Sequence, residues 1–135
     1  MIVVLDTNVL ISGLLHEESS SGVILQVITE DRLFAAYNLA MLKEYQDVLL
    51  RPKFSIITPK ALQLLRIIEG KWRFVITPDL EIRLPDPFDT PFLETAFAVR
   101  ADALITGNLR HFPLWARQGV KVVNPREFID QLYHS

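Results

Sequence analysis

The chain opens on a short apolar segment that ends in a carboxylate, Ile2-Val3-Val4-Leu5-Asp6-Thr7-Asn8. A run this short, rich in β-branched residues, predicts a buried β-strand. In an open parallel sheet, ligands bind in the crevice at the carboxyl ends of the strands. Asp6 falls at that end, and a half-buried carboxylate is costly unless another group compensates its charge. The opening therefore predicts a binding site that begins with Asp6.

Size and composition narrow the class of protein. With 135 residues, half of them apolar and 22% charged, we expect a single domain over residues 1–135 with a sizeable core. There is no cysteine, which excludes disulfide and thiolate chemistry. The net charge of −2 argues against a protein that coats nucleic acid by bulk charge. Since the opening has no basic leader and no run has the roughly 20 apolar residues of a membrane span, we expect a cytoplasmic protein without a membrane partner.

Strands and helices alternate along the chain, which predicts a three-layer α/β/α fold around a central, mostly parallel sheet of about five strands. The predicted strands are residues 2–5, 33–36, 74–76, 103–106 and 120–123. The predicted helices are residues 8–15, 22–30, 39–50, 58–68, 92–100 and 114–118, with a last helix after Asn124.

Capping residues set several of these boundaries. Thr7 or Asn8 is expected to cap the first helix, and Gly70 to end the fourth. Asn124 and Glu127 have the spacing of a capping box, which predicts the start of the C-terminal helix.

Further polar groups are candidates to join Asp6. Glu44 lies on a helical row that is otherwise apolar, although a glutamate at the edge of such a row usually keeps its carboxylate in water. Asp89 comes just before a predicted helix, where capping the helix amides is the simpler role. Asp86 is either a supporting ligand or a turn residue, and Glu94 lies where it could face the crevice.

Asn108 follows a predicted strand, as Asp6 does. The simpler interpretation is a turn asparagine in the left-handed conformation, because Gly107-Asn108 is a common turn dipeptide. Three acids and one amide, if they converge, form an oxygen-rich site. Such a site suits Mg²⁺ or Mn²⁺ rather than zinc.

The charges are unevenly distributed along the chain. Residues 51–73 contain six basic residues and one acid, whereas residues 79–102 contain six acids and two basic residues. A basic segment beside an acidic one could bind an anionic polymer and place it at a metal site. Solvent-exposed helix faces of ordinary composition explain the same charge distribution equally well. The candidate contacts to the phosphates of such a polymer are Arg51, Lys53, Arg110 and His111. The aromatic side chains of Phe112 and Trp115 are expected to pack rather than to stack on bases.

Over nearly its whole length the chain resembles the PIN-domain family of nucleases, and most closely the bacterial and archaeal group assigned as toxin components of toxin–antitoxin pairs. The resemblance is carried by Val3-Val4-Leu5-Asp6-Thr7-Asn8-Val9-Leu10, Glu44, Asp86-Pro87-Phe88-Asp89-Thr90-Pro91-Phe92-Leu93-Glu94, Ala103-Leu104-Ile105-Thr106-Gly107-Asn108 and Val122-Val123-Asn124-Pro125-Arg126-Glu127-Phe128.

The resemblance implies a metal-dependent endoribonuclease. By position, Asp6, Glu44 and Asp89 are the catalytic acids that hold one or two Mg²⁺ or Mn²⁺ ions. Asn108 is then a fourth ligand, where the family usually has an aspartate, and its amide brings an oxygen without a charge. The residues expected to orient these ligands or the substrate are Thr7, Asn8, Asp86, Glu94 and Thr106.

The resemblance also implies partners: an RNA substrate, a cognate antitoxin protein, and a second copy of the chain in a homodimer or higher oligomer. The alternative function is a non-catalytic PIN-like module that binds RNA or a protein partner, and Asn108 favours it. A haloacid-dehalogenase-like phosphatase also begins with a strand and an aspartate. It needs a second aspartate two residues later, where this chain has Asn8.

Overall fold

A computed structural model describes residues 1–134, and within them five strands form one parallel sheet. The strands are β1 (Ile2–Leu5), β2 (Phe34–Tyr37), β3 (Arg73–Phe74), β4 (Ala103–Ile105) and β5 (Val122–Val123). Their order across the sheet is β3-β2-β1-β4-β5, and every neighbouring pair is parallel. The predicted three-layer α/β/α fold is confirmed.

Six α-helices in the described residues cover the sheet. They are α1 (Thr7–Leu15), α2 (Ser20–Thr29), α3 (Leu39–Leu49), α4 (Thr58–Lys71), α5 (Thr90–Val99) and α6 (Pro125–His134). Helix α2 packs between α1 and α6, while α5 lies against β1 and β2 and contacts α3. Four short 3₁₀ segments complete the chain: Pro52–Ile57, Pro87–Asp89, Leu109–His111 and Leu114–Ala116. No helix of the described chain combines the length and apolar character needed to cross a membrane.

The core is built on the two central strands of the sheet. Val3, Val4 and Leu5 of β1, and Leu104 and Ile105 of β4, have no exposed surface. A parallel strand covered by helices on both faces has no solvent side, which is why its sequence is a continuous apolar run.

Some predicted boundaries and caps are wrong. Helix α1 begins at Thr7, because Asp6 is its cap and its carboxylate accepts a hydrogen bond from the Thr7 N–H; Thr7 and Asn8 lie inside the helix. Gly70 does not end α4, which continues to Lys71. The helix predicted over residues 114–118 is one 3₁₀ turn, and the outer strands β3 and β5 are shorter than predicted. The capping box is confirmed, since Asn124 and Glu127 exchange hydrogen bonds between side chain and backbone.

The order of the strands places the functional residues. Strand β1 leads to β2 on one side, and the chain returns to place β4 on its other side. The carboxyl ends of β1 and β4 therefore meet at the point where the strand order reverses, which is where open α/β sheets form their crevice. The Asp6 N–H donates to the Ile105 carbonyl over 2.9 Å, so the two strand ends are tied together at this point.

Candidate metal centre

Asp6 is buried at the end of β1 and is held by three donors. Its Oδ1 accepts from the Thr7 N–H at 2.8 Å, and its Oδ2 accepts from the Thr106 hydroxyl at 2.7 Å and from the Asn8 amide at 3.3 Å. Burial raises the pKa of Asp6, and the hydrogen bonds from Thr106 and Thr7 partly offset that rise. The donors fix the orientation of the carboxylate without neutralising its charge.

Glu44 is linked to Asp6 through Thr7. It lies half-buried on α3, and its carboxylate accepts a hydrogen bond from the Thr7 hydroxyl. Burial raises the pKa of Glu44, and the negative charges of Asp6 and Asp86 raise it further. The simpler interpretation, an edge glutamate that extends into water, does not describe this side chain.

Asp89 is buried at the start of α5, yet its side chain makes no capping hydrogen bond. Asp86 provides the local cap instead, because its Oδ1 accepts from the Phe88 N–H at 2.9 Å. Burial, together with the negative charge of Asp6 nearby, raises the pKa of Asp89 to about 7. The capping role considered for Asp89 is therefore wrong, and its carboxylate faces the other acids.

Asn108 and His111 complete the pocket from the loop after β4. The φ of Asn108 is −134°, so it is not the left-handed turn residue that the dipeptide predicts. Its amide nitrogen lies 2.8 Å from His111 Nε2, and the other ring nitrogen, Nδ1, lies 2.8 Å from Asp89 Oδ2. The sequence predicts His111 only as an RNA contact, and its position between Asn108 and Asp89 was not predicted. The one available signal was the three-residue spacing from Asn108 in a tight turn.

The other residues expected to orient ligands have separate contacts. Thr106 and Thr7 hold Asp6 and Glu44, as described above. Asn8 bridges the two strand ends, because its Oδ1 accepts from the Gly107 N–H at 2.9 Å. Glu94 accepts from the Leu80 N–H at 3.0 Å, so this carboxylate anchors the segment between β3 and α5.

The proposed RNA contacts lie on the surface. Arg51 pairs with Asp47 over 2.9 Å and is close enough to Glu44 to lower the pKa of that carboxyl. Lys53 lies 5.1 Å from the centre of the Phe54 ring, and Arg110 is exposed beside His111.

The two aromatic residues near the pocket differ in burial. Phe112 is fully buried, as expected of a packing residue. Trp115 is 71% exposed, so the prediction that it packs is wrong. Its exposure follows from its place in a single 3₁₀ turn, whose neighbour Leu114 is also exposed.

The Thr106 hydroxyl stabilises the Asp6 carboxylate, and its removal tests this directly. We expect Thr106→Val to raise the pKa of Asp6 and to lower the free energy of unfolding by about 2 kcal/mol at pH 7, because a buried hydrogen bond to a charged group is lost. Thr106→Ser keeps the hydroxyl and is expected to cost less than about 1 kcal/mol. Carbon-13 NMR of the carboxyl and urea denaturation measure the two quantities. If Thr106→Val loses no more stability than Thr106→Ser, the hydroxyl bond to Asp6 does not stabilise the fold.

The donor set fits a divalent cation. Asp6, Glu44, Asp86 and Asp89 bring four carboxylates into one pocket, and one of their oxygens, Asp89 Oδ2, is buried and accepts no hydrogen bond from the described residues. Oxygen-rich sites of this kind bind Mg²⁺ or Mn²⁺. The residues that would hold the ion are Asp6, Glu44 and Asp89.

The fold and the pocket define a class: a parallel α/β protein with acids gathered at the switch point of its sheet. The family model for the PIN domain matches residues 2–110, and the chain belongs to the PIN-domain family. It is 29% identical to the uncharacterized protein MJ1680 of Methanocaldococcus jannaschii, over 96% of this chain and 90% of that protein.

A solved structure with a similar fold is VapBC2 from Rickettsia felis, crystallised with a DNA fragment from its promoter. The TM-score is 0.61 with 16% sequence identity, and the match covers 92% of this chain and 98% of that one. At this level of identity, the similarity shows a common fold.

Proposed function

We infer that this protein is a metal-dependent endoribonuclease that hydrolyses RNA phosphodiester bonds. The gathering of four carboxylates carries the inference. Thr7 joins Asp6 to Glu44 by hydrogen bonds, and Asp86 and Asp89 bring ligand oxygens within 4.8 Å of each other. The charges of Asp6 and Glu44 raise the pKa of Asp89, which places the two pairs side by side. Acids that repel one another at a sheet's switch point are destabilising in the empty pocket. A cation that binds there removes the penalty.

Asp6, Glu44 and Asp89 are assigned to the cation, and the Asn108 amide, which contacts His111 Nε2, is assigned to support the site from the loop after β4. A divalent ion in that position lowers the pKa of water and offsets charge on phosphate. Thr7 orients Glu44 and Asp6 together, since it donates its hydroxyl to the first and its N–H to the second. Thr106 and Asn8 hold the remaining oxygen of Asp6, so the carboxylate keeps its direction as substrate arrives.

RNA is assigned as the substrate because cations flank the acidic pocket. Arg51 lies near Glu44, and Arg110 is exposed beside His111, so a phosphate backbone has a cation on either side. Lys53 extends the basic surface from the segment that follows α3. Contacts of this kind do not depend on base sequence, and we expect binding to weaken steeply with salt.

A toxin–antitoxin role is the finer form of the proposal. The similar fold of VapBC2, which was crystallised with a DNA fragment from its promoter, supports it. A cluster of carboxylates suits a partner segment that presents an arginine or lysine, which would compete with the metal. We assign a cognate antitoxin as that partner. A second copy of the chain, in a homodimer or higher oligomer, is a further proposed partner, and the cytoplasm is the proposed location.

A non-catalytic binding module is the second candidate. Asn108 favours it, because an amide in place of the family's usual aspartate removes one charge from the metal site. The two candidates differ in whether RNA is cut or only bound.

The deciding experiment incubates the purified protein with end-labelled single-stranded RNA and, as a matched control, DNA of the same sequence. We expect cleavage of RNA in millimolar Mn²⁺ or Mg²⁺, and none after chelation with EDTA. Hydrolysis by water leaves a phosphate on one product end and a hydroxyl on the other. A 2′,3′-cyclic phosphate, or cleavage that persists in EDTA, would indicate attack by the RNA's own 2′-hydroxyl and contradict the proposal. RNA bound but uncut in both metals would favour the binding module.

A further inference from the structure

His111 adds a nitrogen to the acidic pocket. One ligand atom each from Asp86, Asp89 and His111 lies within 4.8 Å of the others. Asp86 and Asp89 belong to the segment before α5, and His111 belongs to the loop after β4, so two separate parts of the chain meet here. The cluster is therefore produced by the fold and not by local sequence.

The Asp89 carboxylate has an oxygen without a partner. Asp89 is 6% exposed, and its Oδ2 accepts no hydrogen bond within residues 1–134. His111 Nδ1 is only 2.8 Å from this oxygen, yet the contact lacks the geometry of a hydrogen bond. A buried acceptor without a donor is costly and needs an explanation. Two ligand atoms side by side, neither bonded to the other, point to a third species that both can bind.

The separation of these atoms suits a coordinated ion. Ligands at about 2.1 Å in an octahedral arrangement place neighbouring ligand atoms about 3 Å apart. The 2.8 Å between His111 Nδ1 and Asp89 Oδ2 is close to that value. Asp86 uses Oδ1 to cap the 3₁₀ segment, which leaves its Oδ2 for a ligand.

We propose that Asp86, Asp89 and His111 Nδ1 hold a transition-metal cation, Mn²⁺, and that the imidazole makes the site prefer it over Mg²⁺. The proposal rests on the proposed function, in which Asp6 and Glu44 hold a cation together with Asp89. Mn²⁺ and Mg²⁺ both bind carboxylate and water oxygens, but Mn²⁺ is a first-row transition ion and accepts an imidazole nitrogen more readily than Mg²⁺ does. A site with two carboxylates and one histidine therefore discriminates between two ions that an all-oxygen site treats alike.

Asn108 has a defined place in this arrangement. Its amide contacts His111 Nε2, and a half-turn about the last side-chain bond exchanges the amide nitrogen for the oxygen. With the oxygen facing it, Nε2 keeps the proton and donates, which leaves the lone pair of Nδ1 directed at the ion. Asn108, which stands where the family usually has an aspartate, then selects the tautomer of His111.

The test measures metal binding without RNA. Mn²⁺ is titrated into wild-type protein and into His111→Asn, with free Mn²⁺ followed by electron paramagnetic resonance, and Mg²⁺ affinity is obtained by competition. We expect His111→Asn to weaken Mn²⁺ binding roughly 10-fold to 100-fold, with Mg²⁺ binding changed less than about threefold. His134→Asn, at an exposed histidine of α6, is the matched control and is expected to bind as wild type.

Each outcome decides the matter. If His111→Asn keeps the wild-type ratio of Mn²⁺ to Mg²⁺ affinity, or if wild-type protein binds neither ion, the proposal is wrong. If the ratio falls as expected but wild-type protein cuts no RNA, the histidine site stands and the ribonuclease assignment fails. If RNA is cut and the ratio of Mn²⁺ to Mg²⁺ affinity does not change in His111→Asn, the ribonuclease assignment stands and the histidine site fails.

Discussion

Asp6→Asn is expected to reduce the rate of metal-dependent RNA cleavage by about 10³-fold. The amide keeps the size and planar shape of the carboxylate, and its oxygen still accepts from the Thr7 N–H. What it loses is the negative charge next to the ion, and removing a single electrostatic contact of this kind typically costs 10²-fold to 10³-fold in rate. The measurement is cleavage of the labelled RNA under single-turnover conditions in Mn²⁺.

Asp130→Asn is the matched control, because it makes the same chemical change at an exposed position of α6. It is expected to cleave at the wild-type rate. Asp6→Asn is expected to fold with a modest loss of stability, because its amide nitrogen replaces the oxygen that accepts from Thr106 and Asn8. If Asp6→Asn cleaves within about threefold of wild type in parallel preparations, Asp6 does not serve the reaction.

The metal-free protein is expected to lose stability as the pH rises from 4 to 8. The pKa of Asp89 is about 7 in the folded chain and near 3.8 when unperturbed. Between these values the folded chain holds a proton that the unfolded chain has released, so the free energy of unfolding falls with rising pH. At about 1.4 kcal/mol per pKa unit, these two values correspond to a loss of about 4 kcal/mol from this carboxyl, and Glu44 and Asp6 change in the same direction.

Urea denaturation in EDTA at pH 5 and pH 8 measures the effect, with Asp89→Asn beside the wild type. The variant has no proton to lose at this position, and it also relieves its neighbours of a negative charge. Its stability is therefore expected to fall less over the same range, so that the two proteins differ most at pH 8. Parallel curves for the wild type and Asp89→Asn would show that Asp89 titrates normally.

The sequence predicted the centre of the fold better than its edges. Both bounds of strand β1 were predicted correctly, because a strand buried on both faces is a continuous apolar run with no polar residue inside it. The edge strands β3 and β5 are only two residues long, and their pairing depends on the twist of the sheet and not on local composition. The start of α1 was misplaced because one side chain, Asp6, both caps the helix and faces the crevice.

The acids of the site were predicted from their places at strand and helix ends. Glu44 followed from helical spacing, and Asp89 from its position before a proline-led helix. The contact between His111 and Asp89 had no such signal, because it depends on the path of an irregular loop after β4. Glu94 was expected near the crevice from its helix face, and its bond to the Leu80 amide depends on another irregular segment.

The hydrogen bond between Thr106 and Asp6 joins residues 100 positions apart, across strands that are neighbours in the sheet. During synthesis, β1 and β2 are made first, and β4, the second neighbour of β1 in the sheet, follows only after α5. Until β4 is present, the pocket lacks Thr106, which holds the Asp6 carboxylate, and the loop that contains Asn108 and His111. The candidate site is therefore completed only after β4 has been synthesised, and the segment before β4 cannot assemble it alone.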